Sequence, residues 1–241
     1  MSGRAGGVSE ERSLPALANA AVVLCGALAW EASAADIQRG ANVWSGQCAM
    51  CHDIGHGAGH GVGPHLNDIL GRPLGGLEDF AGYSGPMVLE GIHGAVWDEA
   101  LLRAFLRDPY VMMPDTRMLF GGLHVQEDLD NLIAWLLPAS RGELPPVEGF
   151  RVSATVLALE GDFEYGEYLA AECTTCHRRD GGDDGIPAIT GWPESGFVAV
   201  MHAYRARVRP NVTMQTISAR LGDEEIAALA AYFASLERPV P

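Results

Sequence analysis

CAMCH at residues 48–52 and CTTCH at residues 173–177 share one pattern, Cys-x-x-Cys-His. This pattern is the attachment signature for c-type haem. Its two thiols add across the haem vinyl groups, and the adjacent histidine binds the iron as the proximal ligand. The sequence therefore predicts two covalently bound haem c groups, each with its iron. The predicted attachment residues are Cys48, Cys51, Cys173 and Cys176, and the predicted iron ligands are His52 and His177.

The N-terminal segment has the pattern of an export signal. Two arginines precede an apolar run over residues 14–30, and small residues follow it. We predict a signal peptide over residues 1–35, cleaved after Ala34 or Ala35, a periplasmic location and no membrane insertion after cleavage. An acidic pair ahead of the run leaves an uncleaved anchor open. The fifth cysteine, Cys25, lies inside this run, so the predicted mature chain has no cysteine outside the two motifs.

Charge limits the partners that this protein can bind. The formal net charge is −15, and the chain contains no lysine. Nucleic acids and anionic membrane surfaces are therefore poor partners, because both repel an acidic protein. A docking partner is expected to be neutral or basic where it meets this chain.

The chain divides into two similar units around a Pro/Gly-rich joint. We place the first unit at residues 36–138, a linker at residues 139–158 and a shorter second unit at residues 159–241. Each unit has a short helix before its motif, a Gly/Pro loop after it, a methionine after a proline, and a final amphipathic helix. Strand patterns are almost absent. The predicted fold class is all-α, with two tandem domains that each wrap around one covalently attached haem.

The two final helices have the clearest pattern. Their apolar residues recur at helical spacing, which predicts one buried face on each helix. The acidic residues that open the second of them suit the positive end of a helix. The predicted buried positions are Leu129, Leu132, Ile133 and Leu136 in the first unit, and Ile226, Leu229, Ala230 and Phe233 in the second.

Further residues of the first unit form a recognisable series around its haem motif. They are Gly40, Trp44, Gly63, Pro64, His65, Leu66, Leu70, Gly71, Arg72, Tyr83, Trp97, Pro114, Thr116, Met118, Phe120, Gly122 and Leu123. With these residues, the first unit resembles class I cytochrome c of the soluble mitochondrial and bacterial type over roughly its whole length. The lysines that surround the haem edge in that family are absent here, so the usual partners of the family do not carry over with the scaffold.

The resemblance implies roles for five residues. Met118 would be the sixth ligand of the first iron, and the Pro64 carbonyl would accept a hydrogen bond from the proximal histidine. Arg72, Tyr83 and Trp97 would cluster around the haem propionates. Plain core packing is the alternative for Tyr83 and Trp97, and the neighbouring methionines at positions 112 and 113 are alternative ligands.

The second unit has its own series, including Ile186, Pro187, Ile189, Tyr204, Arg209, Asn211, Met214, Leu221 and the helix from Asp223 to Tyr232. It resembles the short domain of bacterial di-haem cytochromes and of the haem subunit of flavocytochrome sulfide dehydrogenase. That resemblance implies Met214 as the sixth ligand, with Met201 as the alternative, and gives Pro187 the role of Pro64. The leading helix departs by one residue, because Gly166 precedes its motif cysteine by seven positions, whereas Gly40 does so by eight.

Two histidine–methionine irons favour electron transfer over catalysis, because neither leaves a coordination position for a substrate. We therefore predict a di-haem electron-transfer protein and not an enzyme. Its partners would be redox proteins: a flavoprotein or molybdenum dehydrogenase, other cytochromes, or an oxidase. A di-haem enzyme of the peroxidase or thiosulfate-oxidising type, with one reactive haem, is the main alternative. A zinc module built from the four cysteines is a weaker one, because the pairs lie far apart in the chain.

Two other clusters have solvated loops as their simplest interpretation. His56 and His60 lie four residues apart in a glycine-rich loop, which would suit a metal site. Residues 180–184 are acidic and glycine-rich, which would suit a weak cation site. One of the histidines outside the two motifs, in place of a methionine, is an alternative sixth ligand of an iron.

Overall fold

Helices make up the regular structure of the described part of the chain. The computed structural model describes residues 35–145, 147–178 and 186–237, together with residue 3. These residues contain no strand, only one isolated bridge between Pro73 and Val96, so the all-α prediction is confirmed for them. The predicted export segment lies outside the described residues, apart from Gly3 and Ala35, and so does the acidic cluster at 180–184. Among the described residues, no helix is both long enough and apolar enough to span a bilayer.

The described residues 35–140 contain five α-helices. They are α1 (Ile37–Val43), α2 (Gly85–Ile92), α3 (Glu99–Arg107), α4 (Pro109–Met112) and α5 (Gln126–Ser140). A short π-helix, Trp44–Cys48, continues α1 into the first haem motif. The predicted apolar face of α5 is confirmed, since Leu129, Leu132, Ile133 and Leu136 are at most 2% exposed.

Helices α1 and α5 cross at a glycine. A Cβ atom at Gly40 would lie 2.0 Å from the carbonyl oxygen of Asn131, so only glycine allows this approach. The rings of Trp44 and Trp135 pack beside the crossing, with centroids 5.2 Å apart. This crossing fixes the helix that delivers Cys48 to its site.

The second part repeats that arrangement. Its helices are α6 (Ala154–Leu157), α7 (Phe163–Cys173), α8 (Glu194–Arg205), α9 (Val212–Ser218) and α10 (Asp223–Ser235). Helix α7 crosses α10 at Gly166, where a Cβ atom would lie 2.0 Å from the Ala228 carbonyl oxygen. The predicted apolar face of α10 is confirmed, because all four of its residues are at most 1% exposed.

The π-helix accounts for the one-residue difference between the two leading helices. In the first part, the amide of Ala49 bonds to the carbonyl oxygen of Trp44 at 3.0 Å, five residues back, so one additional residue is accommodated in a wider turn. In the second part, α7 runs as an uninterrupted α-helix to Cys173. The crossing glycine and the first motif cysteine are therefore matched in both parts, although their spacing differs by one residue.

The joint between the two parts is more ordered than its composition indicates. Helix α5 includes Pro138 and ends at Ser140, two residues into the predicted linker, and α6 also lies within that linker. The joint packs on the first part. The Arg151 guanidinium is 2.9 Å from an Asp53 carboxylate oxygen, and a Cβ atom at Gly149 would lie 2.3 Å from the Cβ of Ala49.

Two hydrophobic cores lie within residues 35–241, which form one compact unit. The first core is built around α1, α3 and α5, and the second around α7, α8 and α10. Each core adjoins one of the two haem motifs.

Candidate haem sites

A cavity of about 190 Å³ lies against the first motif. The two motif thiols of the first unit line this cavity. The other six residues predicted to contact the haem or bind its iron line it as well. The structure therefore brings together Cys48, Cys51, His52, Pro64, Arg72, Tyr83, Trp97 and Met118.

The ring of His52 is held on two sides. Its Nδ1 lies 2.7 Å from the carbonyl oxygen of Pro64, to which it donates a hydrogen bond, so the acceptor nitrogen Nε2 remains for a metal. A Cβ atom at Gly63 would lie 2.3 Å from the ring carbon Cε1 of His52. Burial lowers the pKa of His52, which favours the neutral imidazole that binds iron.

Met118 differs from its two sequence neighbours in position. It is half-buried and lines the cavity, whereas Met112 and Met113 pack in the first core outside it. The Met113 sulfur accepts a hydrogen bond from Ser84 Oγ at 3.7 Å. Met50 and Met87, which no sequence pattern singled out, also line the cavity.

Two residues that line the cavity have buried N–H groups without a hydrogen-bond partner among the described residues. Arg72 donates to the carbonyl oxygens of His65 and Asn67, at 3.0 and 2.9 Å, but its Nε has no hydrogen-bond partner among the described residues. The same is true of the indole Nε1 of Trp44. A buried N–H group without a partner is costly, and carboxylates such as haem propionates would satisfy both groups.

The four motif cysteines are free thiols. Burial is the main reason why the pKa of Cys48 is raised to about 12 and that of Cys51 to about 11; for Cys51 the charge of Arg209 acts in the opposite direction. The described residues contain no group of three or more His, Cys, Asp or Glu side chains placed to hold a metal ion, so the zinc alternative gains no support.

These features fit a covalently attached haem at the first motif. Two thiols and a histidine supply the attachment and proximal groups, a thioether lines the same cavity, and unpartnered N–H groups suit its propionates. A glycine leaves room for the proximal ring.

The second motif repeats part of this geometry. His177 Nδ1 lies 2.7 Å from the carbonyl oxygen of Pro187, the same distance as in the first motif. Cys173 and Met214 both pack, half-buried, against the second core. The alternative ligand Met201 is a core residue, 5% exposed, with its sulfur 3.9 Å from Ser218 Oγ. Cys176 is exposed.

Residues of the second part also line the first cavity. They are Pro193, Ser195, Gly196 and Arg209. A Cβ atom at Gly196 would lie 2.7 Å from Cδ1 of Leu119, the residue after Met118, which shows how closely the two parts approach. The sequence pattern assigns Arg209 to the second unit alone, because no local pattern records packing between units.

The glycine-rich loop histidines have different surroundings. His56 is exposed, as expected. His60, however, is half-buried: its ring stacks on His65 with centroids 5.2 Å apart, and its Nε2 lies 3.1 Å from an Asp79 carboxylate oxygen. This pairing supplies too few ligands for a metal site among the described residues.

Comparison with known proteins identifies relatives of this chain. The family model for cytochrome c matches residues 163–237. The chain is 42% identical to cytochrome c2 of Afifella marina over 90 residues, which are 37% of this chain and 72% of the relative. It is 45% identical to cytochrome c2 of Agrobacterium tumefaciens over 91 residues, 38% of this chain and 81% of the relative. Cytochrome c of Stellaria longipes is 35% identical over 106 residues, 44% of this chain and 94% of the relative.

Proposed function

Because the chain belongs to the cytochrome c family, we propose that it is a periplasmic di-haem electron-transfer protein. Membership of the family makes it an electron-transfer haem protein with covalently bound haem c and redox protein partners, and not an enzyme. Family membership does not fix the number of haems, the compartment or the individual partners, and these are what we propose.

The observation that carries the two-haem proposal is the repeated histidine contact. Both His52 and His177 place Nδ1 at 2.7 Å from the carbonyl oxygen of a proline downstream of the motif. Both motifs also follow a helix that crosses a final helix at a glycine. The family model for cytochrome c adds support for the second motif, because the residues that it matches, 163–237, include that motif.

We assign Met118 and Met214 as the sixth ligands. When bound, each haem supplies an iron that accepts and donates single electrons. The protein contributes the thioether, which prefers the softer reduced metal, and an apolar enclosure that disfavours net charge on the iron centre. Both effects favour a high reduction potential. An iron held by a histidine and a methionine would leave no position for a substrate to coordinate, which is why we prefer an electron carrier to the peroxidase or thiosulfate-oxidising alternative.

The number and state of the haems test this function directly. The mature protein should contain two haems per chain by mass spectrometry and by pyridine haemochrome assay. Its oxidised form should not bind cyanide rapidly. One haem per chain would refute the di-haem proposal, and rapid cyanide binding at one iron would favour the enzyme alternative.

The partners follow from charge and from the second unit. With no lysine and a net charge of −15, the chain is suited to a redox protein with a basic docking face. We propose a donor dehydrogenase, flavin- or molybdenum-dependent, and a soluble carrier or terminal oxidase as acceptor.

The proposal of export rests on the apolar run and the small residues of the N-terminal segment. Mass spectrometry of the periplasmic fraction tests it, since a mature N-terminus after residue 34 or 35 is expected there.

A further inference from the structure

The second unit contributes a charged side chain to the first haem site. Arg209 lines the same cavity as Cys51, His52 and Met118, although it lies far along the chain from all of them. It also lines a smaller neighbouring cavity of about 100 Å³, together with Met50 and Phe120 of the first unit. Arg209 is therefore placed at the contact between the two units, beside the attachment residues of the first haem.

Local contacts hold Arg209 in this position. Its guanidinium carbon lies over the ring of Tyr204, 5.2 Å from the centroid. Its backbone amide bonds to the Ala203 carbonyl oxygen at 3.3 Å, and its own carbonyl oxygen accepts a hydrogen bond from Gln215 Nε2 at 2.8 Å. The side chain is half-buried, so solvent screens its charge less than that of an exposed arginine.

The same segment leads to the proposed ligand of the second haem. Five residues after Arg209, the backbone amide of Met214 donates to the side-chain oxygen of Asn211 at 3.0 Å, which caps α9. Gln215, which anchors the Arg209 carbonyl, is the next residue. One turn of the chain, capped by Asn211, therefore links Arg209, which lines the first cavity, to Met214, the proposed ligand of the second haem.

We propose that Arg209 is a charged residue that the second unit supplies to the first haem site, where its positive charge raises that haem's reduction potential. This inference rests on the proposed function. The ferric centre carries one more positive charge than the ferrous centre, so a nearby guanidinium disfavours the ferric form. The potential of the first haem thus depends on the packing of the second unit.

The test measures the two haems separately in the full chain. In a Met214→Ala background, the methionine–iron absorption band reports the first haem alone, and in a Met118→Ala background it reports the second. Adding Arg209→Gln to the first background should lower the midpoint potential titrated at this band, with a shift of the ferric–ferrous equilibrium on the order of tenfold. Arg209→Lys, which keeps the charge, should retain most of the potential.

Arg220→Gln is the matched control, because it removes the same charge from an exposed position of the same unit that lines neither cavity. It should leave the potential of the first haem nearly unchanged. The inference is overturned if Arg209→Gln has no larger effect than this control, if Arg209→Lys lowers the potential equally, or if the second haem shifts as much as the first. Failure of the underlying function would look different: no methionine–iron band would remain in the Met214→Ala protein, or its mass would lack one haem.

Discussion

The position of the His52 ring depends on two neighbouring residues, Pro64 and Gly63. The carbonyl fixes which nitrogen keeps its proton, and the glycine leaves space for the ring beside the loop. The sequence motif identified the histidine, and the family resemblance identified the proline. The need for glycine at position 63 became apparent only from the ring's position.

Gly63→Ala should therefore disturb the first haem site. The new methyl group would lie 2.3 Å from the ring carbon Cε1 of His52, so the ring must move. The hydrogen bond from His52 Nδ1 to the Pro64 carbonyl oxygen is then lost. We expect a loss of about 1–3 kcal/mol in the free energy of unfolding, as for an overpacked core, and a weakened low-spin spectrum at one haem. Gly59→Ala, in the same loop with open space around it, is the control. Equal spectra for the two variants would contradict this account.

The methionine assignments predict paired spectral losses. Met118→Ala and Met214→Ala should each abolish one methionine–iron absorption band and lower one of the two reduction potentials, because the soft sulfur ligand that stabilises ferrous iron is gone. Met113→Leu should leave both bands intact, since that side chain packs outside the cavity. Retention of both bands in either alanine variant would show that another residue binds that iron.

His202 should make the second unit sensitive to mild acid. It is 6% exposed, and its Nδ1 accepts a hydrogen bond from Arg205 at 3.0 Å. Burial, and then the charge of Arg205, lowers its pKa below the ordinary value of 6.5. The unfolded chain therefore binds this proton first, so the free energy of unfolding falls as pH drops below about 6.5 towards the folded pKa.

Denaturant titrations between pH 7.5 and 5 measure this effect. His202→Gln, which can still accept from Arg205, should reduce the loss of stability over this range. Some dependence should remain, because burial also lowers the pKa of His65. His93→Gln, at an exposed position, should follow the unmodified protein. An unchanged slope for His202→Gln would contradict the prediction.

The two glycine crossings give the most direct test at the scale of helices. At Gly40 and at Gly166, a methyl group would lie 2.0 Å from a backbone carbonyl oxygen of the facing helix, and backbone cannot turn aside as a side chain can. Gly40→Ala and Gly166→Ala should each lower the free energy of unfolding by at least about 2 kcal/mol. Gly46→Ala, with open space around its position, should change it by less than about 1 kcal/mol. Thermal denaturation of the three variants measures the difference.

Periodic patterns predicted the helices well and their interruptions poorly. The buried faces of α5 and α10 follow from spacing alone, because a helix with one apolar stripe must turn that stripe inwards. Helix α5 runs through Pro138 to Ser140, two residues past the predicted end of the first unit, because a proline so close to a helix C-terminus affects only the last turn. The π-helix at residues 44–48 has no sequence signature and showed only as a spacing mismatch.

Contacts between the two units were beyond sequence analysis. Arg209 was matched to its own unit, yet it lines the cavity of the other. The linker was identified by its Pro/Gly content, yet Gly149 and Arg151 pack on the first unit. Such pairings depend on tertiary approach between distant segments, and a single sequence carries no periodic trace of them.

The acidity of the whole molecule predicts how it meets its partners. Reduction or oxidation by a basic redox protein should slow about tenfold as ionic strength rises from about 0.01 to 0.1 M, because the Debye length falls from about 30 to about 10 Å. Stopped-flow rates measure this, and an uncharged small-molecule reductant is the control, with little dependence on salt. A basic protein whose rate is independent of salt would contradict electrostatic docking.

The packing of Gly149 against Ala49 has a further consequence, for the rate of electron transfer between the two units. A freely swinging tether would make exchange between the two halves wait on diffusion, whereas a joint packed on its neighbour keeps them in standing contact. An internal electron hop in this chain should therefore proceed at the same speed in glycerol as in water, and at any dilution.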